Sequence, residues 1–279
     1  MTVAESYAHC EGVARREAKN FYYSFLLLAA PERLAMCAIY AFMRYCDDLS
    51  DDEGIADRAS AIDRWKQDLE SAFAGQAQEH ALWPAFMDAV ARYKIPHEYF
   101  FQMIEGVSSD LQPRRMETFE QLYDYCYHVA SVVGLTVIHI FGFEDPQALK
   151  LAEKCGIAFQ LTNILRDVKE DAEKQRIYLP ADDLTRFGID ASELRAPNVS
   201  SKFRELLRFE AGRAREYYRE SVPLVAMIHA RSRPSLKALI GIYSRLLDKI
   251  EAANYEVLSQ RVRVPNWEKV WILVRSRVA

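Results

Sequence analysis

The feature that most constrains the fold is a stripe of oxygen-bearing side chains with apolar surroundings, within a segment predicted to be helical at residues 146–173. The stripe residues recur at steps of three and four and therefore share one face of an α-helix. They are Gln160, Asn163, Asp167 and Asp171. The other faces carry Ile157, Phe159, Leu161, Ile164 and Leu165. An acidic face turned to solvent is the alternative, but so apolar a helix favours a stripe that faces the interior of a helical bundle.

Carboxylates inside a bundle need a compensating partner, because removing a charge from water is costly. Hard oxygen donors without a neighbouring cluster of His or Cys favour Mg²⁺, with Mn²⁺ as the alternative ion. In proteins Mg²⁺ takes one or two carboxylates and completes its shell with water and substrate phosphate oxygens. The stripe therefore predicts both a metal ion and a substrate that carries a diphosphate.

A second acidic motif, RYCDDLSDD, occupies residues 44–52. Asp47 and Asp51 lie four residues apart and project from the same helical face. Two like charges at this spacing cost a few tenths of a kcal/mol, roughly, so the pair needs either solvent or a cation. Taken alone, the motif is better interpreted as a solvated helix end. Because the chain also carries the stripe at residues 160–171, we favour the interpretation that the motif and the stripe form two parts of one site.

Cationic and aromatic residues near these motifs supply further candidates. Diphosphate oxygens could be bound by Lys19, Arg44, Arg166 and Arg176, of which the arginines allow bidentate contacts. A prenyl pocket that offers π faces to a carbocation could be lined by Phe21, Tyr22, Phe25, Tyr40 and Tyr125. The alternatives, surface charges and ordinary core aromatics, remain open for each residue considered singly.

Apolar periodicity predicts helices along most of the chain. Pro31 suits the first turn of a helix at 31–52, which should end near Gly54. Further helices are predicted at 57–74, 79–93, 97–109, 118–141 and 146–173. Residues 174–200 form the least regular stretch. Ser200 or Ser201 should cap a helix that Pro223 bends or ends, and Pro234 and Pro265 should begin two more. We expect an all-α protein with one domain over 1–279, because no strand alternation competes.

Charge and composition exclude several classes of protein. A net charge of −4 argues against nucleic-acid binding. The five cysteines are scattered, which indicates neither zinc nor a disulfide framework and fits a reducing cytoplasm. The N-terminus lacks the pattern of a signal peptide. The apolar stretch 21–43 is interrupted at Pro31, so it cannot cross a bilayer as one helix. We expect a cytoplasmic protein, at most peripheral to the inner face of the membrane. The residues that suggest such contact are Trp267, Lys269, Trp271, Arg275 and Arg277.

With both motifs located, the chain resembles the squalene and phytoene synthase family, the head-to-head trans-isoprenyl diphosphate synthases. The resemblance covers most of the chain, and its most specific part is QLTNILRDVKED at residues 160–171. Other matching segments are KNF (19–21), AIYAF (38–42), YCYHVA (125–130) followed by Gly134, RIYLP (176–180), Asn254-Tyr255 and Arg261-Val262. The resemblance implies a helical isoprenoid synthase bundle around a central active-site cavity.

The resemblance also implies roles for individual residues. Mg²⁺ ligands or their direct supports would be Asp47, Asp51, Asn163, Asp167 and Asp171. Diphosphate partners would be Lys19, Arg44 and Arg261, and the reaction cavity would be lined by Phe21, Tyr40, Tyr125, Val133 and Gln160. Of these, Arg44, Tyr125 and the four aspartates are the expected catalytic residues. Family members commonly have Ser where this chain has Ala18, which puts a hydroxyl contact to diphosphate there in doubt.

The implied reaction is ionisation of one prenyl diphosphate followed by head-to-head coupling with a second. Finer resemblance at Phe21-Tyr22-Tyr23, at residues 125–134 and at residues 261–267 is to bacterial enzymes of hopanoid biosynthesis. It favours the coupling of two farnesyl diphosphates to presqualene diphosphate. Phytoene or dehydrosqualene synthase is the close alternative, and squalene synthase, which would add NADPH, is less favoured. A catalytically silent scaffold of the same fold should have lost acidic ligands, which this chain keeps. A class I terpene cyclase would not fit residues 160–171.

Overall fold

The computed structural model describes residues 1–18, 21–52, 54–76 and 79–278, and helices dominate these residues. The α-helices are α1 (Val3–Glu17), α2 (Phe21–Phe25), α3 (Ala30–Asp51), α4 (Arg58–Phe73), α5 (Trp83–Tyr93), α6 (Glu98–Ser109), α7 (Phe119–Cys126), α8 (Val132–Phe141), α9 (Gln147–Glu173), α10 (Ala181–Phe187), α11 (Ser201–Ser221), α12 (Leu224–Met227), α13 (Arg233–Ala252) and α14 (Asn266–Val278). The expected all-α class is confirmed.

Most helix bounds follow from local sequence signals. Helix α3 has Pro31 in its first turn, and the Ser200 side chain accepts a hydrogen bond from the backbone N–H of Phe203 to cap α11. The helix expected at 79–93 begins only at Trp83. Pro84 explains the difference, because a proline is tolerated in the first turn but not inside a helix.

The helix expected at 118–141 is interrupted. A π-helical segment, Tyr127–Ser131, separates α7 from α8. Segments of this kind insert an extra residue into a helix and often occur at functional sites. Taken together, Phe119–Phe141 is apolar and long enough to cross a membrane by length and composition, but 56% of its most apolar window is buried inside the protein. Its apolarity is accounted for by its place in the bundle.

The irregular stretch after α9 contains a short strand. Strand β2 (Arg176–Ile177) pairs in parallel with β1 (Arg114–Arg115), with Arg114 opposite Arg176. These two-residue strands were not predicted, because they are too short to show an alternating pattern. The pairing requires the chain to turn sharply after α9, and Gln175 adopts a positive φ of 61° at that turn. The pairing joins the ends of α6 and α9.

The buried apolar residues form two clusters. The first is built mainly from α1, α3, α4, α5, α6 and α8, and the second from α7, the later part of α9, α11 and α13. Helix α9 contributes to both, since Cys155 belongs to the first cluster and Ile157 to the second. Phe21, Phe159 and Ile240 pack against both clusters. The space between them contains the main cavity.

Candidate active site

A cavity of about 410 Å³ lies between the two clusters, and its lining changes character along the helices. On α3 the lining residues run from Met36 and Ile39 to Asp47 and Asp51. On α9 they run from Ala152 and Cys155 through Phe159 to Gln160 and Asn163. Both helices therefore present apolar residues first and polar residues last. The cavity consequently has an apolar body and a charged mouth.

The first acidic motif lies at this mouth. The carboxylate of Asp47 keeps accessible surface, but that surface faces the cavity, because Asp47 is a lining residue. Burial raises the pKa of Asp47 to about 7, and repulsion from Asp51 acts in the same direction, although Arg44 opposes it. Arg44 also lines the cavity, and its buried Nε has no hydrogen-bond partner among the described residues. The mouth therefore contains the Asp47 carboxylate, which is suited to bind a cation, and the Arg44 Nε–H, which is available to donate a hydrogen bond to an anion.

The second motif continues this surface along α9. Asn163 lines the cavity and donates from Nδ2 to Gln160 Oε1 at 3.3 Å. Its carbonyl oxygen is buried and has no hydrogen-bond partner within the described part of the chain. An unpaired buried acceptor is costly, so this oxygen is suited to a cation or a donor that the protein itself does not supply.

One turn beyond Asn163, the carboxylate of Asp167 is occupied by two arginines. Arg166 contacts both of its oxygens, with Nε at 2.8 Å from Oδ1, and Arg261 places a guanidinium nitrogen 3.0 Å from the same oxygen. Arg261 also pairs with Glu170 at 2.8 Å. Neither arginine lines the cavity itself. Arg166 and Arg261, which were expected to bind diphosphate, are therefore paired with Asp167.

Asp171 completes the stripe a further turn along α9. Burial raises the pKa of Asp171 to about 7, with repulsion from Asp167 and Glu170 adding to the effect and Arg176 opposing it. Asp110 also raises the pKa of both Asp171 and Asp47. The electrostatic influence of Asp110 thus links the two motifs.

Asp110, which follows α6, is a site residue that the sequence did not reveal. Its carboxylate accepts hydrogen bonds from the hydroxyls of Tyr125 and Tyr178, each at 2.9 Å. The two tyrosine rings stack at a centroid distance of 4.7 Å. Arg176 donates to the backbone oxygen of Asp110 at 2.9 Å and to Oδ1 of Asp51 at 3.4 Å. Asp110 and Arg176 thus connect the first motif to the β1–β2 pairing and fix Tyr125 at the cavity wall.

The π-helical segment forms another part of that wall through His128, Val129 and Ala130. It is in tight contact with its neighbours, since a Cβ at Gly156 would lie 2.6 Å from the Cα of Ser131. A Cβ at Gly106 would lie 3.1 Å from the backbone of His128. The two glycines allow α6 and α9 to approach the segment from different sides.

The structure places most predicted residues at the cavity. The predicted residues that line it are Phe21, Tyr40, Arg44, Asp47, Asp51, Tyr125, Val133, Gln160, Asn163 and Arg176, and Phe25 of the candidate aromatic series does so too. Four others lie outside the lining: Arg166, Asp167, Asp171 and Arg261. Tyr22 also lies outside it, and its hydroxyl accepts from Arg15. Lys19 lies outside the described residues.

Tyr243 is another lining residue that the sequence did not single out. Its ring stacks on Phe159 at 4.4 Å and contacts Phe21 at 5.7 Å. Burial raises the pKa of Tyr243 to about 12, so its hydroxyl stays protonated. Tyr243 lies far from both motifs in the sequence, and only the packing of α13 against α9 brings it to the cavity.

Within the described residues, no group of three or more His, Cys, Asp or Glu side chains is close enough to hold a metal ion by itself. The oxygen donors nevertheless suit Mg²⁺, which needs few protein ligands when substrate oxygens and water complete its shell. The unpaired Asn163 oxygen and the raised pKa values of Asp47 and Asp171 mark where a cation would relieve buried charge. The ligand assignment stays a prediction.

A helical bundle around an apolar cavity, with acidic and cationic groups at its mouth, defines an isoprenoid synthase. The sequence profile of the squalene/phytoene synthase family matches residues 14–268. A 15-cis-phytoene synthase from Synechococcus elongatus is 36% identical over 96% of this chain and 91% of its own length. Phytoene synthase 1 from Arabidopsis thaliana is 37% identical over 96% of this chain and 65% of its own.

Solved structures agree with this result. A dehydrosqualene synthase superimposes with a TM-score of 0.92 at 29% identity, covering 99% of this chain and 96% of that one. The squalene synthase HpnC from Alicyclobacillus acidocaldarius gives 0.85 at 29% identity, covering 91% and 96%. The chain belongs to the squalene/phytoene synthase family, whose members condense prenyl diphosphates head to head, and it is a prenyltransferase.

Proposed function

We propose that this enzyme couples two farnesyl diphosphates head to head to give presqualene diphosphate, in a reaction that depends on Mg²⁺. Breaking the C1–O bond of one substrate releases diphosphate and leaves an allylic cation. The C2–C3 double bond of the second substrate attacks C1 of that cation, and loss of a proton closes a cyclopropane. Two farnesyl diphosphates thus give one presqualene diphosphate, one inorganic diphosphate and one proton, and no reductant is consumed.

The polarised cavity is the observation that carries this proposal. Its apolar body suits isoprenoid chains, while Arg44, Arg176 and the carboxylates occupy the end where a diphosphate would lie. Asp167 keeps Arg166 and Arg261 beside that end. An arriving diphosphate competes with Asp167 for these guanidinium groups, because phosphate oxygens accept bidentate arginine contacts well. Transfer of the arginines to the substrate would leave the Asp167 carboxylate available as a ligand.

The donor set supports Mg²⁺ as the cofactor, with Mn²⁺ as a substitute, and the residues that would hold it are Asp47, Asp51, Asn163, Asp167 and Asp171. When bound, the ion neutralises the charge that develops on the leaving diphosphate. The chain contributes Arg44 and Arg176 to the same charge. A cation on the isoprenoid chain would meet aromatic faces of Phe21, Tyr40 and Tyr243, each worth about 1–2 kcal/mol in a dry pocket.

Released diphosphate is the best candidate for the base that removes the cyclopropane proton. His128 lines the cavity and is the alternative base, because its Nδ1 donates to the backbone oxygen of Asp124 at 2.8 Å and leaves Nε2 unprotonated. The Tyr125 hydroxyl donates to Asp110, and burial raises its pKa well above the ordinary value. Tyr125 is therefore suited to hold position or donate a hydrogen bond, and not to accept the proton.

Phytoene synthesis is the second candidate, because the sequence relatives described above carry that name. It would require two geranylgeranyl chains, which contain ten more carbon atoms in total than two farnesyl chains. The shorter pair is favoured by the names of the two structural relatives with 29% identity, a dehydrosqualene synthase and a squalene synthase. Squalene synthesis would in addition require NADPH.

Product analysis separates these candidates. Purified enzyme is incubated with Mg²⁺ and either farnesyl or geranylgeranyl diphosphate, with and without NADPH. Products are identified by mass spectrometry, and inorganic diphosphate is counted per coupled product. We expect presqualene diphosphate and one diphosphate from the farnesyl substrate. Two diphosphates per coupled product, with phytoene formed only from the geranylgeranyl substrate, would establish the second candidate.

A further inference from the structure

Helix α14 carries an exposed apolar stripe along its whole length. The stripe residues and their exposed fractions are Trp267 (69%), Val270 (49%), Trp271 (58%), Val274 (61%) and Val278 (86%). Steps of three and four place them within one narrow face of the helix. Large exposed apolar side chains that share one helix face usually mark an interaction surface.

Cationic residues border this stripe on both sides. By helical geometry Arg275 falls on one flank and Arg277 on the other, and both side chains are exposed. Arg275 also lies over the ring of Trp271, 5.5 Å from its centroid. Asn266–Val278 is described throughout, and its one acidic residue, Glu268, is buried away from the stripe. The exposed face of α14 is therefore apolar and positive, although the protein as a whole has a net charge of −4.

The opposite face of α14 is fastened to the bundle. Glu268 forms ion pairs with Arg245 and Lys249, each at 2.7 Å. A Cβ at Gly241 would lie 2.9 Å from Cγ2 of Ile272, so the glycine admits α14 close to α13. Lys269 lies over the ring of Tyr23 in α2. These contacts hold the helix in a fixed rotation with its stripe outward.

We propose that the exposed face of α14 docks this enzyme on an anionic lipid surface. A helix that lies in a membrane interface buries an apolar stripe between the headgroups and the acyl chains and keeps basic residues at its flanks. Tryptophan is enriched at that depth, because its ring is apolar and its N–H is polar. Arg275 and Arg277 are placed for lipid phosphates at both edges of the stripe.

A second copy of the chain would fit this face less well. Because both flanks are basic, pairing two such faces would bring arginines of one copy near arginines of the other. Asp248 of α13 lines the groove beside Trp267 and Arg275, but it is already paired with Arg215. A lipid phosphate supplies the missing negative charge on either side. Charge complementarity therefore selects the anionic membrane as the occupant.

The location of α14 connects this surface to the cavity. The helix packs on α2 and α13, and these two elements also line the cavity through Phe25, Leu236 and Leu239. Docking through α14 would therefore place the apolar wall of the cavity next to the bilayer. An apolar product would then have a short route into the lipid. This consequence rests on the proposed function, but the docking itself does not depend on it.

Vesicle binding of the full chain tests the docking without any catalytic measurement. The protein is titrated with vesicles of phosphatidylcholine alone or with phosphatidylglycerol added, and the bound fraction is measured by flotation. We expect binding that requires phosphatidylglycerol and weakens with salt. Val274→Glu should weaken it by at least about tenfold, because a charge replaces an apolar group in the centre of the stripe. Val222→Glu, at a valine of similar exposure (64%) on another part of the protein, is the matched control.

Tryptophan fluorescence gives a second reading that needs no variant. The chain has four tryptophans, and Trp65 and Trp83 are 2% and 3% exposed. Quenching by lipids brominated on the acyl chains should therefore report on Trp267 and Trp271. Absence of quenching, binding to phosphatidylcholine alone, or equal loss in both valine variants would overturn the proposal. So would a dimer in light scattering that Val274→Glu dissociates, together with no vesicle binding.

Discussion

Asp171→Asn should make the protein more stable at alkaline pH while it inactivates the enzyme. Burial raises the pKa of Asp171 to about 7 from an ordinary value of 3.8. Between these values the folded protein binds a proton that the unfolded chain has lost, so stability falls as the pH rises from about 4 to 7. An asparagine does not titrate and removes this penalty. The gain should be present above pH 7 and disappear as the pH falls toward 4.

The size of the effect follows from the same pKa. A carboxyl whose pKa lies about three pH units above normal costs up to about 4 kcal/mol once it is ionised in the folded state. Asp171 is only partly buried by surface area, and solvent screens its neighbours, so we expect a gain of about 1–2 kcal/mol at pH 8. Such a gain lies within the resolution of urea unfolding.

The assay is urea unfolding at pH 5, 6, 7 and 8, with Asp63→Asn as the control on an exposed face of α4. Adding Mg²⁺ and inorganic diphosphate should stabilise the unmodified protein and do little for Asp171→Asn, because ligands stabilise only the state that binds them. A gain of the same size at pH 5 and pH 8, or a loss of stability at pH 8, would refute the electrostatic reasoning.

Three further predictions concern the cavity and its mouth. Asp110→Asn and Tyr178→Phe should show a coupling energy of about 1–3 kcal/mol in a double-mutant unfolding cycle, since the two share one charge-assisted hydrogen bond; additive effects would contradict the bridge. Arg261→Gln should raise the KM for farnesyl diphosphate about tenfold, because one phosphate contact is lost, whereas an unchanged KM in steady-state assays would remove this arginine from substrate binding. Phe25→Ala should increase the ratio of geranylgeranyl to farnesyl turnover, because it deepens the apolar body of the cavity. The control is Leu26→Ala at an exposed position, which should leave this ratio unchanged. The ratio is measured by mass spectrometry of reactions that contain both substrates, and an unchanged ratio in Phe25→Ala would contradict the prediction.

The sequence could predict those parts of the site that depend on helical spacing. Asp47 and Asp51 share a face because they are four residues apart, and Gln160 and Asn163 line the cavity because the stripe follows the helical repeat. The prediction that the stripe faces inward holds for Gln160 and Asn163, whereas Asp167 and Asp171 lie outside the cavity lining. These inferences needed only the geometry of one helix at a time.

Features that arise between helices were not predictable in this way. Asp110 follows α6 without any distinctive motif, and its role depends on the hydroxyls of Tyr125 and Tyr178, which come from separate segments. The pairing of Arg261 with Asp167 spans almost a hundred residues of sequence. The π-helical segment Tyr127–Ser131 depends on close packing, for which local periodicity gives no signal.

The central claim is that the two acidic motifs act as one unit on a single diphosphate. It is tested most directly by the Mg²⁺-dependent release of inorganic diphosphate from farnesyl diphosphate at saturating substrate. Asp47→Asn and Asp167→Asn should each slow the release by about 100-fold or more, and the double variant should be little slower than either one, because residues of one catalytic unit are not additive. Full activity in either single variant, or losses that multiply in the double variant, would contradict the claim.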